Sequence, residues 1–217
     1  NGFGMGGPAG RRLLATSPLA ATVGRRLRVG RVGAVEDLVA VERAAKSIDA
    51  IEPTARARLV AVRAWQALVR GDPSAFLELA TSAVALFEES GDRRSACNQR
   101  MNVGYAYNEV GAYADAEREL SETLRVAEEL GLRSVMGSAK HNLGWSIGRT
   151  GRLAEGCAMQ LAAAQVFHDG GDLRMEGACR MYAAALLAED GAATGGAAAL
   201  ARALVEARAA PAEAEAP

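Results

Sequence analysis

Residues 101–120 read MNVGYAYNEVGAYADAEREL and residues 141–160 read HNLGWSIGRTGRLAEGCAMQ, and the two stretches align without a gap at an offset of 40. Asn102 and Asn142 share a column, as do Gly104 and Gly144, Tyr105 and Trp145, and Asp115 and Glu155. Glycine recurs on the same period: Gly71, Gly111, Gly151 and Gly191 are 40 apart, and Gly91, Gly131 and Gly171 form a second series offset by 20. Between the glycines, apolar residues return at three and four positions without sustained alternation, the pattern of amphipathic helices. Helices of about 16–18 residues joined by tight glycine turns account for both series, because glycine enters the left-handed conformation that ends a helix without a Cβ penalty. Asp72-Pro73 marks a helix start, Asp accepting a backbone N–H and Pro filling the first helical position. Asp92 and Asp172 are expected to cap the helices after Gly91 and Gly171.

Outward from this centre the repeat becomes looser. Trp65 falls in the Tyr105 column and Ala64 in the Gly104 column, while Ala184 stands where a small residue is required in the last unit. Residues 34–50 align with the second helix of a unit. The expected organisation is a disordered Gly-rich segment at 1–10, a basic linker or degenerate helix at 11–31, and a helical repeat domain at 32–209. Its units are 52–91, 92–131, 132–171 and 172–209, preceded by a partial unit, and a disordered tail follows at 210–217. One helix pair cannot bury its apolar face alone, whereas stacked pairs make a continuous core.

Composition narrows the function classes. Half of the 217 residues are apolar but only 5% are aromatic, and 48 are alanine, so small side chains suited to close helix packing dominate. Lys plus Arg number 25 against 26 Asp plus Glu, which disfavours a nucleic-acid-binding module. The exception is local: Arg11, Arg12, Arg25, Arg26, Arg28 and Arg31 precede the first acid, Glu36, and suit either phosphate or an adjoining domain. Cys97, Cys157 and Cys179 are too sparse for a disulfide framework and point to a reducing, cytoplasmic setting. No apolar run approaches the roughly 20 residues of a membrane helix, so membrane insertion is not expected. The chain starts at Asn1 and reads as a piece of a longer protein.

Chemistry has no candidate. GFGMGG matches G-x-G-x-x-G at Gly2, Gly4 and Gly7, but no strand precedes it and no acidic residue follows about 20 positions on. His141 and His168 are the only histidines and form no metal-binding motif. No buried carboxylate pair is indicated, so neither a catalytic residue, a metal nor a cofactor is expected, and the chain is read as non-enzymatic.

The repeat resembles the tetratricopeptide family. Val103-Gly104, Tyr107, Gly111, Tyr113 and Ala116 follow the family pattern, as do Leu143-Gly144, Gly151, Leu153 and Gly156, with Ile147 replacing an aromatic. That resemblance implies an all-α, right-handed superhelical solenoid of antiparallel helix pairs. It makes Gly104 and Gly144 contact points within a pair, with Ala116 and Gly156 as their counterparts. The unit of 40 exceeds the usual length of about 34. In this it is similar to the long-helix variants in regulatory regions of large bacterial signalling kinases and ATPases. Such an array binds a peptide, a partner protein or an adjoining domain of its own chain.

The resemblance also implies an inner groove lined by the first helix of each pair. Carried onto this chain, the groove comprises Asn98, Met101, Asn102, Tyr105, Asn108 and Glu109, then Ser138, His141, Asn142, Trp145 and Arg149. Arg58, Trp65, Met181, Tyr182 and Glu189 flank it. Asn102 and Asn142 suit either a peptide backbone or bonding between repeats, since an amide both donates and accepts. Tyr105, Trp145 and Trp65 are either groove anchors or core. Glu109, Arg149 and Glu189 alternate in sign down one column and either pair with one another or select a mixed-charge ligand. A purely architectural array, with no separate ligand, is the alternative function. Circular dichroism checks the fold expectation: well over half of the residues should be helical, and a substantial sheet signal would sink it.

Overall fold

The structure, a computed structural model, describes residues 53–194 and 205. The expectations for residues 1–10, 11–31, the partial unit before 52 and the tail at 210–217 lie outside the described residues. Among those described, seven helices and no strands are present. They are α1 (Pro53–Val69), α2 (Pro73–Glu89), α3 (Arg93–Glu109), α4 (Tyr113–Glu129), α5 (Arg133–Arg149), α6 (Leu153–Asp169) and α7 (Leu173–Thr194). Their contacts fall into two units, one ending at Gln99 and one beginning at Arg100.

The first six helices are 17 residues long, and the turns explain why. Gly71, Gly91, Gly111, Gly131, Gly151 and Gly171 have φ between +64° and +91°. At the end of α1, the N–H of Gly71 donates to Leu68 O at 2.9 Å and that of Asp72 to Ala67 O at 2.9 Å. These two bonds close a Schellman turn, which satisfies carbonyls a helix end would otherwise orphan. The same pair recurs after every helix through α6, ending with Gly171 to His168 O and Asp172 to Phe167 O, both 2.9 Å. The residue after each glycine is already the cap of the next helix. Asp72, Asp92 and Asp172 accept from Ala75 N, Ser95 N and Met175 N at 2.9, 3.0 and 3.0 Å. Seventeen helical residues and a three-residue connection give the 20-residue half-period.

Gly191 departs from this scheme. It was expected to turn the chain like Gly71, Gly111 and Gly151, but α7 runs through it to Thr194 with no positive φ. The residues that follow are Ala192 and Ala193, strong helix formers with no capping side chain. Gly191 is instead buried.

In the first unit, Ala57 of α1, Ala83 and Phe87 of α2 and Ala96 of α3 form one buried cluster. Trp65 is half-buried with its ring centroid 5.3 Å from that of Phe76. Among the described residues of the second unit, three clusters each draw on consecutive helices. Ala116, Leu120, Leu143 and Ile147 form the first, Ala163, Ala164, Phe167 and Cys179 the second, and Cys157, Ala183, Ala184, Leu186 and Leu187 the third. Cys157 and Cys179 therefore serve different clusters, and all three cysteines are buried and outside any disulfide.

Glycine sets the closest approach inside the second unit. A Cβ on Gly156 would stand 2.6 Å from Gly144 O and 2.8 Å from Gly148 N, both backbone atoms that cannot move aside independently. A Cβ on Gly144 would in turn meet Gly156 O at 2.9 Å. A Cβ on Gly104 would collide with the fully buried Leu120 side chain, rather than face Ala116 as expected. The α4 side chain is long enough to cover the position from one turn further along. Gly156→Ala and Gly104→Leu should each destabilise by about 1–3 kcal/mol through overpacking, outweighing a propensity gain of about 1 kcal/mol. Denaturant unfolding reads this directly, and an unchanged or higher midpoint would mean that these helices are not in contact there.

Candidate functional site

The first helices of successive pairs in the second unit are the end of α3 from Arg100, then α5 and α7. Side chains projecting from them form two layers. The inner layer is polar and internal. Asn108 Nδ2 donates to the Asn142 carbonyl oxygen at 3.0 Å, tying α3 to α5. Ser146 Oγ lies 2.8 Å from Asn108 Oδ1 and 2.9 Å from Asn142 O, its single hydrogen serving these acceptors. Asn142 Nδ2 donates to Met101 Sδ at 3.4 Å. Asn108 is buried at 7% exposure and Asn102 at 3%. Both were placed on the groove stripe, Asn102 there either for a ligand or for bonding between repeats. Their burial instead places them beneath it, where an amide must find partners inside the protein.

A second buried pair joins α5 to α6. Gln160 Nε2 donates to the His141 carbonyl oxygen at 2.8 Å, which turns its Oε1 toward the ring, 2.7 Å from Nδ1. An amide oxygen can only accept, so His141 Nδ1 carries the proton. Gln160 is fully buried and occupies the column filled by Leu120 one unit earlier, while His141 occupies that of Met101. Cys179 Sγ of α7 lies 3.5 Å from the same nitrogen. Burial, with Asp172 and Glu176 adding to it, pushes the Cys179 thiol up to about 12. The group stays protonated at neutral pH and is no nucleophile.

The outer layer is aromatic and charged. Tyr182 is 38% exposed and meets two rings of α5 edge to face: Trp145 at 5.2 Å and 85°, and His141 at 4.9 Å and 82°. Arg149 stacks its guanidinium 5.4 Å from the Trp145 ring centroid and pairs with Glu189 at 2.9 Å. Hydrogen bonding to Tyr113, then the charge of Glu189, raises the Arg149 pKa further. Tyr105 donates its hydroxyl to Glu109, and burial together with that carboxylate raises its pKa well above the phenol value. Met101, Tyr105 and Trp145 are half-buried, while Asn98, Glu109 and Arg149 are exposed.

Sequence reading thus assembled the outer layer but missed Gln160, Ser146 and Tyr113. The signal for Gln160 was present as a polar residue in a leucine column. On α7, Glu176 is buried at 6% and held by His168 and Arg180, each at 3.1 Å. Burial opposes its charge, but those two hydrogen bonds prevail and hold its pKa below the ordinary value. Among the described residues no group of three His, Cys, Asp or Glu is placed to hold a metal ion, and no helix is long and apolar enough to cross a membrane.

His141 provides a test of the buried pair. Burial holds its pKa below the ordinary 6.5, against the opposing pull of Gln160. A folded-state pKa below the unfolded one means that the unfolded chain takes up the proton first. The neutral ring's contribution is complete well above pH 6.5, erodes as pH falls through that unfolded value, and is gone below the folded one. Wild type should lose unfolding free energy between about pH 7.5 and 5.5, and His141→Met should lose less over the same range. Parallel pH slopes for the two proteins would rule out a buried, neutral His141.

No protein-family profile matches the sequence, and no curated protein matches it either. Solved structures do resemble it. The nearly identical TPR-like repeats assigned to a kinesin light chain of Podosopora anserina share 16% identity over 95% of this chain and 98% of theirs, with a TM-score of 0.63. BtubC from P. vanneervenii shares 15% identity over 93% of this chain and 80% of its own, also at 0.63. A Signal Transduction ATPase with Numerous Domains from Pyrococcus horikoshii, which carries a tetratricopeptide repeat sensor, matches at 0.64 and 13% identity over 87% of this chain and 31% of its own. With helices alone among the described residues, a 40-residue period and these neighbours, the chain has the tetratricopeptide-type fold, an all-α helical repeat solenoid.

Proposed function

We propose that this chain is a non-catalytic module that binds a protein or peptide through the first-helix face of its second unit. The observation that carries the reading is the outer layer itself. Tyr182 and Met181 are 38% and 40% exposed beside half-buried Trp145, with Glu109, Arg149 and Glu189 around them. Aromatic anchors rimmed by charge are what protein interfaces are built from. The amides of the inner layer are engaged within the fold, so recognition falls to the aromatic and charged groups above them. The parent is read as a bacterial signalling protein acting in the cytoplasm, with this array as its regulatory or sensor part. The tetratricopeptide sensor of the Pyrococcus horikoshii ATPase supports that reading by likeness of fold, and three buried cysteines outside any disulfide support the compartment.

A photo-crosslinking residue at position 182, compared with one at Arg118 on the exposed side of α4, tests the proposal in the native cell. A discrete adduct from position 182 that is absent from position 118 is the expected result. Equal adducts from both, or none from either, would favour the architectural alternative.

A further inference from the structure

The charges of the outer layer do not cancel. Arg149 is engaged by Glu189 at 2.9 Å and by Tyr113. Glu109, in the same column one unit earlier, is exposed and forms no ion pair among the described residues. Its carboxylate accepts from the Tyr105 hydroxyl. Tyr182 meets Trp145 edge to face at 5.2 Å. Trp145 and Tyr182 therefore stand edge to face on α5 and α7, and Tyr105 with its Glu109 partner stands on α3, which the bond from Asn108 to the Asn142 carbonyl ties to α5. The protein already uses this surface for a cation, since Arg149 lies 5.4 Å from the Trp145 centroid. Ring faces carry negative potential, and an adjacent carboxylate reinforces it.

We propose that this site takes the cationic side chain of a lysine or arginine from a basic segment of a partner protein, with Tyr105, Trp145 and Tyr182 as its walls and Glu109 as its counter-charge. The inference rests on the interaction reading above and specifies the chemistry of the partner. Mutual pairing within the fold accounts for Arg149 and Glu189, which leaves Glu109 as the charge to be matched from outside.

The test uses the whole 217-residue chain and two fluorescent probes, an alternating Gly-Lys decapeptide and its Gly-Glu counterpart, read by anisotropy at low and moderate salt. The Lys probe should bind more tightly than the Glu probe, and Glu109→Gln and Tyr182→Ala should each weaken it about five- to tenfold. Glu128→Gln, on the exposed side of α4, should leave it unchanged. Equal or tighter binding of the Glu probe, no binding of the Lys probe, or an equal loss with Glu128→Gln would overturn the proposal. A tenfold gain on changing Arg11, Arg12, Arg25, Arg26, Arg28 and Arg31 to Gln would also overturn it, by identifying the chain's own basic segment as the occupant. An adduct at position 182 together with a preference for the Glu probe would leave the interaction reading standing and remove only its cationic form. Loss of both would remove the two together.

Discussion

The architecture depends on one backbone arrangement repeated six times: a left-handed glycine whose N–H, with that of the next residue, closes back onto the preceding helix. At such a φ any side chain with a Cβ costs roughly 1–2 kcal/mol. The turn therefore forms where glycine stands and the helix runs on where better helix formers take over. Because the residue after each glycine is at once the end of one turn and the cap of the next helix, the connection has no slack. Helix length and spacing are fixed together, and columns 40 residues apart occupy equivalent places in successive pairs. Every interaction between first helices, from Asn108 with Asn142 to Arg149 with Glu189, relies on that equivalence.

Equivalent places need not carry equivalent chemistry. The pairing of α3 with α4 buries Leu120 under Gly104, whereas α5 and α6 meet through glycine on both sides, at Gly144 and Gly156. With Gly156 in place of alanine and Gln160 in place of leucine, the second pair has a tighter backbone contact and a polar side chain inside it. That polar group is tolerated because His141 satisfies both ends of the amide. A buried amide left without partners would cost about 1–3 kcal/mol, so the histidine and glutamine are best understood as one unit of two side chains.

Much of the fold was legible because it is written in local residues. Glycine position, the Asp caps and the three-four spacing of apolar residues each act within one or two turns of helix, and no knowledge of the third dimension is needed to read them. Gly191 shows the limit: the same residue in the same column became helical because its neighbours changed, and a period alone carries no information about them. The site was legible in its columns but not in its depth. Asn102, Tyr105, Asn108 and Glu109 share a stripe on paper, yet two are buried, one is half-buried and one is exposed. Depth is decided by how closely the next first helix approaches, which depends on side chains some 40 residues away.

That difference in depth separates the two tasks the first helices perform. The amides reach a neighbouring helix with short side chains and are consumed there, fixing register between repeats. Longer side chains pass over that layer, so tyrosine, tryptophan and arginine reach the surface from the same helices. An aromatic ring on such a support is held by its neighbours before any ligand arrives, as Tyr182 is by Trp145 and His141. Fewer rotamers then have to be frozen on binding, a cost of about 0.5–1.5 kcal/mol for each mobile side chain. The inner network thus contributes to recognition without contacting a ligand: it fixes the spacing of the helices that hold the rings. Substitutions in the two layers differ accordingly, since changes to the amides alter the geometry of the whole face, whereas changes to Glu109 or Tyr182 alter only what that face attracts.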